Sequence, residues 1–117
     1  MTGMSLKAAR AAGYEANATH VIANNHAGYY PGAQAMIVKL VFEEGSGKVL
    51  GAQATGGDGV DKRLDVASTV MHFGGTVHDV AELDLAYAPP FGSAKDPIHM
   101  AAFAAQNHLD GLAPVVQ

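Results

Sequence analysis

The chain has 117 residues, 49% of them hydrophobic and 15% charged, with a formal net charge of −4. This length fits one domain with a modest core, and no apolar run reaches the roughly 18 residues of a membrane-spanning helix. The seven basic residues are scattered, which gives no electrostatic footprint for nucleic acid. Cysteine is absent, which excludes disulfides and thiolate metal sites within these residues. No charged-then-apolar leader stands at the amino end, and we expect a cytoplasmic location.

The first part of the chain predicts a short helix followed by a strand. The stretch from Ser5 to Gly13 combines a serine cap, an alanine-rich body and a glycine stop, which is typical of a short helix. A strand is predicted from Thr19 to Asn24, and a polar, irregular segment follows it from Asn25 to Gly32.

The stretch AQAMIVKLVFEE carries the strongest strand signal in the chain. Its apolar side chains alternate, so one face would carry Met36, Val38, Leu40 and Phe42, with Lys39 on the other. A Gly-Ser-Gly turn follows, and the stretch KVLGAQATGG then alternates in the same way. Two such strands joined by a short turn predict an antiparallel hairpin.

Three helices are predicted after residue 56, where the apolar period changes. Apolar residues from Val60 to Met71 follow helical spacing, and a glycine pair ends that element. Thr76 and Asp79 have the spacing of a capping box ahead of a short second helix. Asp96–Pro97 has the residue types of an N-cap and first position for the third helix, which should end at Gly111. The sequence therefore predicts an α+β fold, an antiparallel sheet of about three strands with helices packed on it.

The stretch AYAPPFGSAKDPIHM, residues 86–100, contains two consecutive prolines. Pro89–Pro90 fixes φ twice and removes two amide donors, so the segment is neither helix interior nor central strand. It predicts a stiff, extended wall with an aromatic side chain at each end, Tyr87 and Phe91. Tyr29 and Tyr30 stand in a second proline-containing loop. These tyrosines are either amphipathic plugs over the core or lining residues of a site.

Several other patterns point to structural roles. The six histidines lack the spacing of a zinc site, so no metal site is predicted, and surface or interface positions are favoured. Ser93, Asp96 and His99 look like a local triad, but helix capping explains Ser93 and Asp96 better. The stretch GGDGVDK lacks the spacing of phosphate-binding loops, which favours a strand-to-helix turn.

The alanine-rich helices predict a thin core. Ala67, Ala101, Ala102, Ala104 and Ala105 allow helices to approach closely but bury little area each. We therefore expect the domain to need a partner, with these small-residue faces meeting their copies in a second chain.

Three separated stretches, HAGYYPGA, GVDKRLDV and LAYAPPFGSAKDPI, together resemble one known family. The chain, from about Thr2 to His108, is similar to the C-terminal dimerisation domain of the pyridine-nucleotide-disulfide oxidoreductases. The similarity is greatest to the branch of coenzyme A-disulfide reductase and the NADH oxidases and peroxidases. The resemblance implies that residues 1–117 are one dimerisation domain of a larger flavoprotein, with residues 109–117 starting a connector. It also implies that only Met1–Gly3 remains of a strand before the first helix, leaving an open sheet edge that favours self-association.

For function, the resemblance implies a homodimer in which this domain completes the active site of the partner subunit. The full-length protein would use FAD and NAD(P)H to reduce coenzyme A disulfide or a related thiol substrate, whereas this chain alone would bind neither cofactor and be inactive. Tyr29 and Tyr87 match tyrosines of the coenzyme A-disulfide reductases, and the proline wall would place Ala88 and Pro89 against the cofactor. A phenol, whose ordinary pKa is about 10, can donate a hydrogen bond to a departing thiolate.

One position departs from the family pattern. Family members commonly have asparagine where this chain has His99, which alters binding if that position contacts coenzyme A or the partner; the alternative is a replacement on the helix surface. Two other hypotheses stay open for the whole chain. It belongs to an NADH oxidase or a polysulfide reductase of the same branch, or it is a stand-alone binding or scaffold domain.

Overall fold

The computed structural model describes residues 1–24, 35–57, 59–85 and 96–111. Its elements are, in chain order, β1 (Thr2–Gly3), α1 (Leu6–Ala11), β2 (Ala16–Asn24), β3 (Ala35–Glu43), β4 (Val49–Gly56), α2 (Val60–His72), α3 (Val77–Ala81) and α4 (Pro97–Leu109). The strands form one antiparallel sheet in the order β1-β4-β3-β2. The predicted α+β class is confirmed. No helix in the described ranges is long and apolar enough to cross a membrane.

The predicted hairpin is confirmed as β3 and β4. The four alternating apolar side chains of β3 are all buried on one face, as the period of two requires: Met36, Val38, Leu40 and Phe42. Val41, which points to the opposite face, is also buried because α1 covers that face locally. β2 begins at Ala16, earlier than the predicted Thr19, because its pairing with β3 continues to Glu43.

Two hydrophobic layers enclose the sheet. The larger lies between one sheet face and the helices α2, α3 and α4, and the smaller lies under α1 on the opposite face. The alanines expected to meet a second chain are instead used within this one. Ala67, Ala101, Ala102 and Ala105 have no exposed surface, and Ala104 is half-buried. Their small side chains let α2 and α4 approach the sheet closely, so these faces are not available to a copy.

The helix ends follow the predicted capping chemistry. Ser5 caps α1, and Thr76 forms a complete capping box with Asp79 at the start of α3. The GGDGVDK stretch joins a strand to a helix as predicted, since β4 ends at Gly56 and Gly59 precedes α2. Gly59 has a φ of 92°, which only glycine adopts without strain.

Residues ahead of α1 add a fourth strand to the three predicted. Thr2 and Gly3 pair with β4, and the Met4 backbone N–H donates to the Leu50 carbonyl at 2.9 Å. This close approach depends on Gly51, because a Cβ there would lie 1.9 Å from the Met4 carbonyl oxygen. β1 covers only two residues of β4, so most of that edge has no strand partner in the described part of the chain.

Replacing Gly51 with alanine is expected to lower the free energy of unfolding by about 1–3 kcal/mol, because the new methyl group must push the first residues off the sheet. Urea denaturation measures the loss, and amide exchange at Met4 should accelerate with it. Thr55→Ala, at an exposed position of the same strand, is the control. Equal stability of the two variants would contradict the steric explanation.

Candidate functional site

The four predicted site residues lie outside the described residues. Tyr29 falls in the range 25–34, and Tyr87, Ala88 and Pro89 fall in the range 86–95. The structure does describe the residues at which both ranges are anchored. The positions of these flanking residues show whether the two segments begin at the same part of the fold.

The first segment, 25–34, connects neighbouring strands at one end of the sheet. Asn24 closes β2 and Ala35 opens β3, and these two residues are register partners in the antiparallel pair. The chain therefore ends β2 and begins β3 at a single end of the sheet. β4 finishes at the same end, because its Gly56 pairs with Met36.

The direction of α4 brings the second segment to that same end. Near its C-terminus, His108 bonds through Nε2 to the Glu44 carboxylate, at the opposite end of the sheet. Further toward its start, the carbonyl of Ala101 accepts a hydrogen bond of 3.1 Å from the Thr19 hydroxyl. α4 thus runs along β2 with its N-terminus toward Asn24 and Ala35. The described residues that flank the segments 25–34 and 86–95 therefore lie toward this end, which we call the motif end of the sheet.

A buried ion pair anchors the C-terminal side of the segment 86–95. Arg63 of α2 contacts Asp96 twice, with Nε to Oδ1 at 3.0 Å and Nη2 to Oδ2 at 2.8 Å. The side chains are 1% and 3% exposed. Arg63 also donates to the Gly59 carbonyl at 3.1 Å. Such bidentate geometry is the arrangement in which a buried pair offsets its own desolvation.

The Asp96 side chain also caps the N-terminus of α4. Its Oδ1 accepts a hydrogen bond of 3.1 Å from the Ile98 backbone N–H, which makes it the N-cap of α4 with Pro97 in the first turn. The predicted cap is confirmed. One carboxylate therefore begins the helix and ties it to α2.

His99 completes the network from within the first turn of α4. Its Nδ1 accepts from the Asp96 backbone N–H at 3.0 Å, which closes a capping box. Its Nε2 lies 2.8 Å from the Leu83 carbonyl oxygen, and only a ring N–H can satisfy that oxygen. These partners assign a neutral imidazole with its proton on Nε2. His99 is 7% exposed, so the alternative of a helix-surface replacement is wrong.

Arg63 is the described residue of this network that sequence reasoning did not single out. The helical pattern rests on its apolar members, and it predicts no role for the arginine among them. A signal was present, because Arg63, Ala67 and Val70 follow helical spacing on the buried face of α2. An arginine on the apolar face of a helix indicates a buried partner of opposite charge.

The remaining described histidines are dispersed. His78 bonds to Gln106, and His72 packs edge-on against Phe73. Within the described ranges, no group of three or more histidine, aspartate or glutamate side chains could hold a metal ion. The buried polar contacts of Arg63, Asp96 and His99 lie at the motif end of the described fold.

The fold and the motif end define a class of protein. The family model described as pyridine nucleotide-disulphide oxidoreductase, dimerisation domain, matches residues 1–99. The chain belongs to this family, as its three motif stretches indicated.

Three individual proteins of known name are also similar to this chain. The coenzyme A disulfide reductase of Staphylococcus epidermidis is 44% identical over 81 residues, which are 69% of this chain and 18% of that protein. The crystal structure of reduced Bacillus anthracis CoADR-RHD matches with a TM-score of 0.93 and 47% identity, over 99% of this chain and 21% of that one. An NAD-dependent persulfide reductase from A. fulgidus matches with a TM-score of 0.89 and 40% identity, over 95% and 21%. The chain spans about a fifth of the length of these relatives.

Proposed function

We propose that this chain is the dimerisation domain of an FAD-dependent NAD(P)H:disulfide oxidoreductase that acts on coenzyme A disulfide, and that it completes the active site of the partner subunit. The observation that carries the proposal is the 47% identity to CoADR-RHD over 99% of the chain. Residues 1–117 would be one domain of a longer cytoplasmic enzyme, with residues 109–117 beginning a connector. The chain alone would be inactive.

The anchoring of the two tyrosine segments supports this role. The described residues that flank both segments lie at the motif end, and Asp96, which follows the second segment, is held there by Arg63. A rigid base keeps a phenol at a fixed distance from a reacting sulfur, which stabilisation of developing charge requires. Tyr29 and Tyr87 would donate hydrogen bonds to the departing thiolate in the partner subunit.

The cofactors would be held mainly by the rest of the full-length protein. Beside the C-terminal end of the segment 86–95, Arg63 and Asp96 are bonded to each other and buried. They are therefore not free to bind a phosphate or ribose group. Ala88 and Pro89 would contribute only backbone and apolar contacts to the flavin, which supplies the electrons when bound.

A second candidate function is reduction of a persulfide or polysulfide. The 40% identity to the persulfide reductase from A. fulgidus favours it. Steady-state assays of the full-length protein with coenzyme A disulfide and with a persulfide would separate the two. A higher kcat/KM for the persulfide would replace the first proposal with the second. Saturable binding of a nucleotide or thiol to this chain alone would favour a stand-alone binding domain instead.

Self-association would use the outer side of α4. Met100 and Phe103 lie one turn apart on α4 and are each 37% exposed, although they are large and apolar. This helix follows directly on the segment proposed to reach the partner. A copy seated on α4 would therefore bring the segment 86–95 next to the second subunit.

The wild-type chain is expected to sediment as a dimer at high micromolar concentration, and the double variant Met100→Glu/Phe103→Glu as a monomer, because the new carboxylates would be desolvated at the interface. Analytical ultracentrifugation measures both. The control is Ile22→Ser/Ile37→Ser, which removes a cross-strand apolar pair exposed on the sheet face away from α4. A strictly monomeric wild-type chain would contradict the proposed self-association, and dissociation of the control alone would move it to the sheet.

A further inference from the structure

We propose that the uncovered half of the sheet face that carries α1 is an intramolecular docking surface, which binds an acidic and apolar segment of the same polypeptide outside residues 1–117. The inference rests on the proposed function, because it requires the chain to be one domain of a longer protein. The surface, which we call the bare half-face, consists of two rows of register partners across β2, β3 and β4: Ile22, Ile37 and Thr55, and beside them His20, Lys39 and Gln53.

The length of α1 explains why half of this face is uncovered. α1 has six residues and is about 9 Å long, whereas the nine-residue strands β2 and β3 extend about 30 Å. The helix covers the end of the face where Ala18 and Val41 are buried. Toward the motif end, the side chains on this face become exposed.

Two large apolar side chains of the bare half-face are exposed to solvent. Ile22 is 69% exposed and Ile37 is 43% exposed, and they are direct cross-strand neighbours. Single exposed apolar side chains are ordinary, whereas adjacent ones rimmed by polar residues are typical of a surface that another protein segment covers. A segment bound here would continue the smaller hydrophobic layer that α1 forms with the sheet.

The shape of the bare half-face fits side chains better than a cofactor. The two rows line an open groove of about 250 Å³. Sites that enclose a small-molecule ligand measure about 300–1,000 Å³ and bury most of its surface. The groove therefore has room for a few side chains of a segment that lies across the strands.

Lys39 determines the charge that the occupant should carry. It is half-buried on β3, the strand between β2 and β4, and within the described ranges it forms no ion pair. The bare half-face contains no carboxylate of its own. Covering Lys39 removes more water from its ammonium group, which is costly unless an opposite charge replaces that water. The covering segment should therefore place an aspartate or glutamate against Lys39.

A second copy of this chain is a poor occupant. Two copies related by a two-fold axis would bring the same residues together, so Lys39 would meet a surface without a carboxylate. Among the residues outside the described ranges, Asp58 is the one acidic residue. The chain spans about a fifth of the length of its relatives, which leaves the larger part of the longer polypeptide to supply the carboxylate.

Acylation of lysine side chains tests whether Lys39 is covered. In the full-length protein its rate should be about tenfold or more below its rate in the 117-residue chain, the factor expected for one charge-assisted hydrogen bond. Ile22→Ser/Ile37→Ser, which removes the apolar row, should raise the rate in the full-length protein toward that of the 117-residue chain. Phe73→Ser, at an 80% exposed position just after α2, is the control and should leave the rate unchanged.

A zero-length cross-link identifies the occupant. Carbodiimide joins an ammonium group to a carboxylate only when the two are in contact. Mass spectrometry of the treated full-length protein should therefore find Lys39 linked to an aspartate or glutamate outside residues 1–117. In dimers of one unlabelled and one nitrogen-15-labelled subunit, the linked peptides should be uniformly light or uniformly heavy, because the contact lies within one polypeptide.

Several results would overturn the inference. They are an equal Lys39 rate in the two proteins, a rate that Ile22→Ser/Ile37→Ser leaves unchanged, and the absence of a link to a carboxylate outside residues 1–117. A link to Asp58 or pairs of light and heavy peptides would also overturn it, because the occupant would then be this chain or the partner subunit.

The readouts do not require turnover, so they separate this inference from the proposed function. A full-length protein that protects Lys39 but does not reduce coenzyme A disulfide would overturn the proposed substrate alone. A full-length protein that reduces coenzyme A disulfide but leaves Lys39 unprotected would overturn the docking surface alone.

Discussion

Replacing Arg63 with methionine is expected to lower the free energy of unfolding by about 3–5 kcal/mol, the usual cost of leaving a buried charge without its partner. The Asp96 carboxylate would remain 3% exposed with no cation to balance it. A loss of this size is a large part of the 5–15 kcal/mol that stabilises a typical domain, so the variant would be close to unfolding at 37 °C. Urea denaturation followed by circular dichroism measures the difference.

Two further variants identify the cause. Lys7→Met removes an exposed positive charge from α1 and should change stability by less than about 0.5 kcal/mol. The double variant Arg63→Met/Asp96→Ser should recover most of the loss, because it removes the stranded carboxylate while serine still caps α4. An Arg63→Met variant as stable as Lys7→Met would show that the pair is not the anchor of α4. Failure of the double variant to recover would assign the cost to the lost hydrogen bond from Arg63 to the Gly59 carbonyl.

Replacing Tyr87 with phenylalanine in the full-length protein is expected to lower kcat for coenzyme A disulfide about 10²-fold, the size of effect seen when one preorganised donor to a developing anion is removed. Phenylalanine keeps the ring and its packing but cannot donate to the departing thiolate. Tyr29→Phe should act in the same direction. The double variant should cost less than the product of the single effects, because both phenols would serve one sulfur atom.

Tyr14→Phe is the matched control for this experiment. Tyr14 is half-buried beside α1 and precedes Ala16, which begins β2 at the sheet end opposite to the motif end. Loss of its hydroxyl should leave turnover unchanged. Unchanged turnover in Tyr87→Phe as well would remove Tyr87 from its assigned role. An equal loss in Tyr14→Phe and Tyr87→Phe would indicate a general effect on the fold.

Local chemistry in the sequence determined the elements of this fold. Alternation along β3 identified its buried face, and the Gly-Ser-Gly turn identified the hairpin. The caps at Ser5, Thr76 and Asp96 stood where the sequence placed them, because capping depends on residues within one turn of the helix. The three motif stretches also indicated the family correctly.

Only the tertiary structure determined which polar groups of distant elements bond to each other. Arg63 and Asp96 are 33 residues apart, and His99 reaches a carbonyl 16 residues before it. No local period reports such contacts, so helical spacing alone indicates neither the partner of the buried arginine nor the carbonyl that the histidine reaches. The same holds for the alanines, since only the packed fold shows that their faces lie against the sheet of their own chain. Local rules act over a few residues, whereas burial and pairing depend on which distant segments the folded chain brings together.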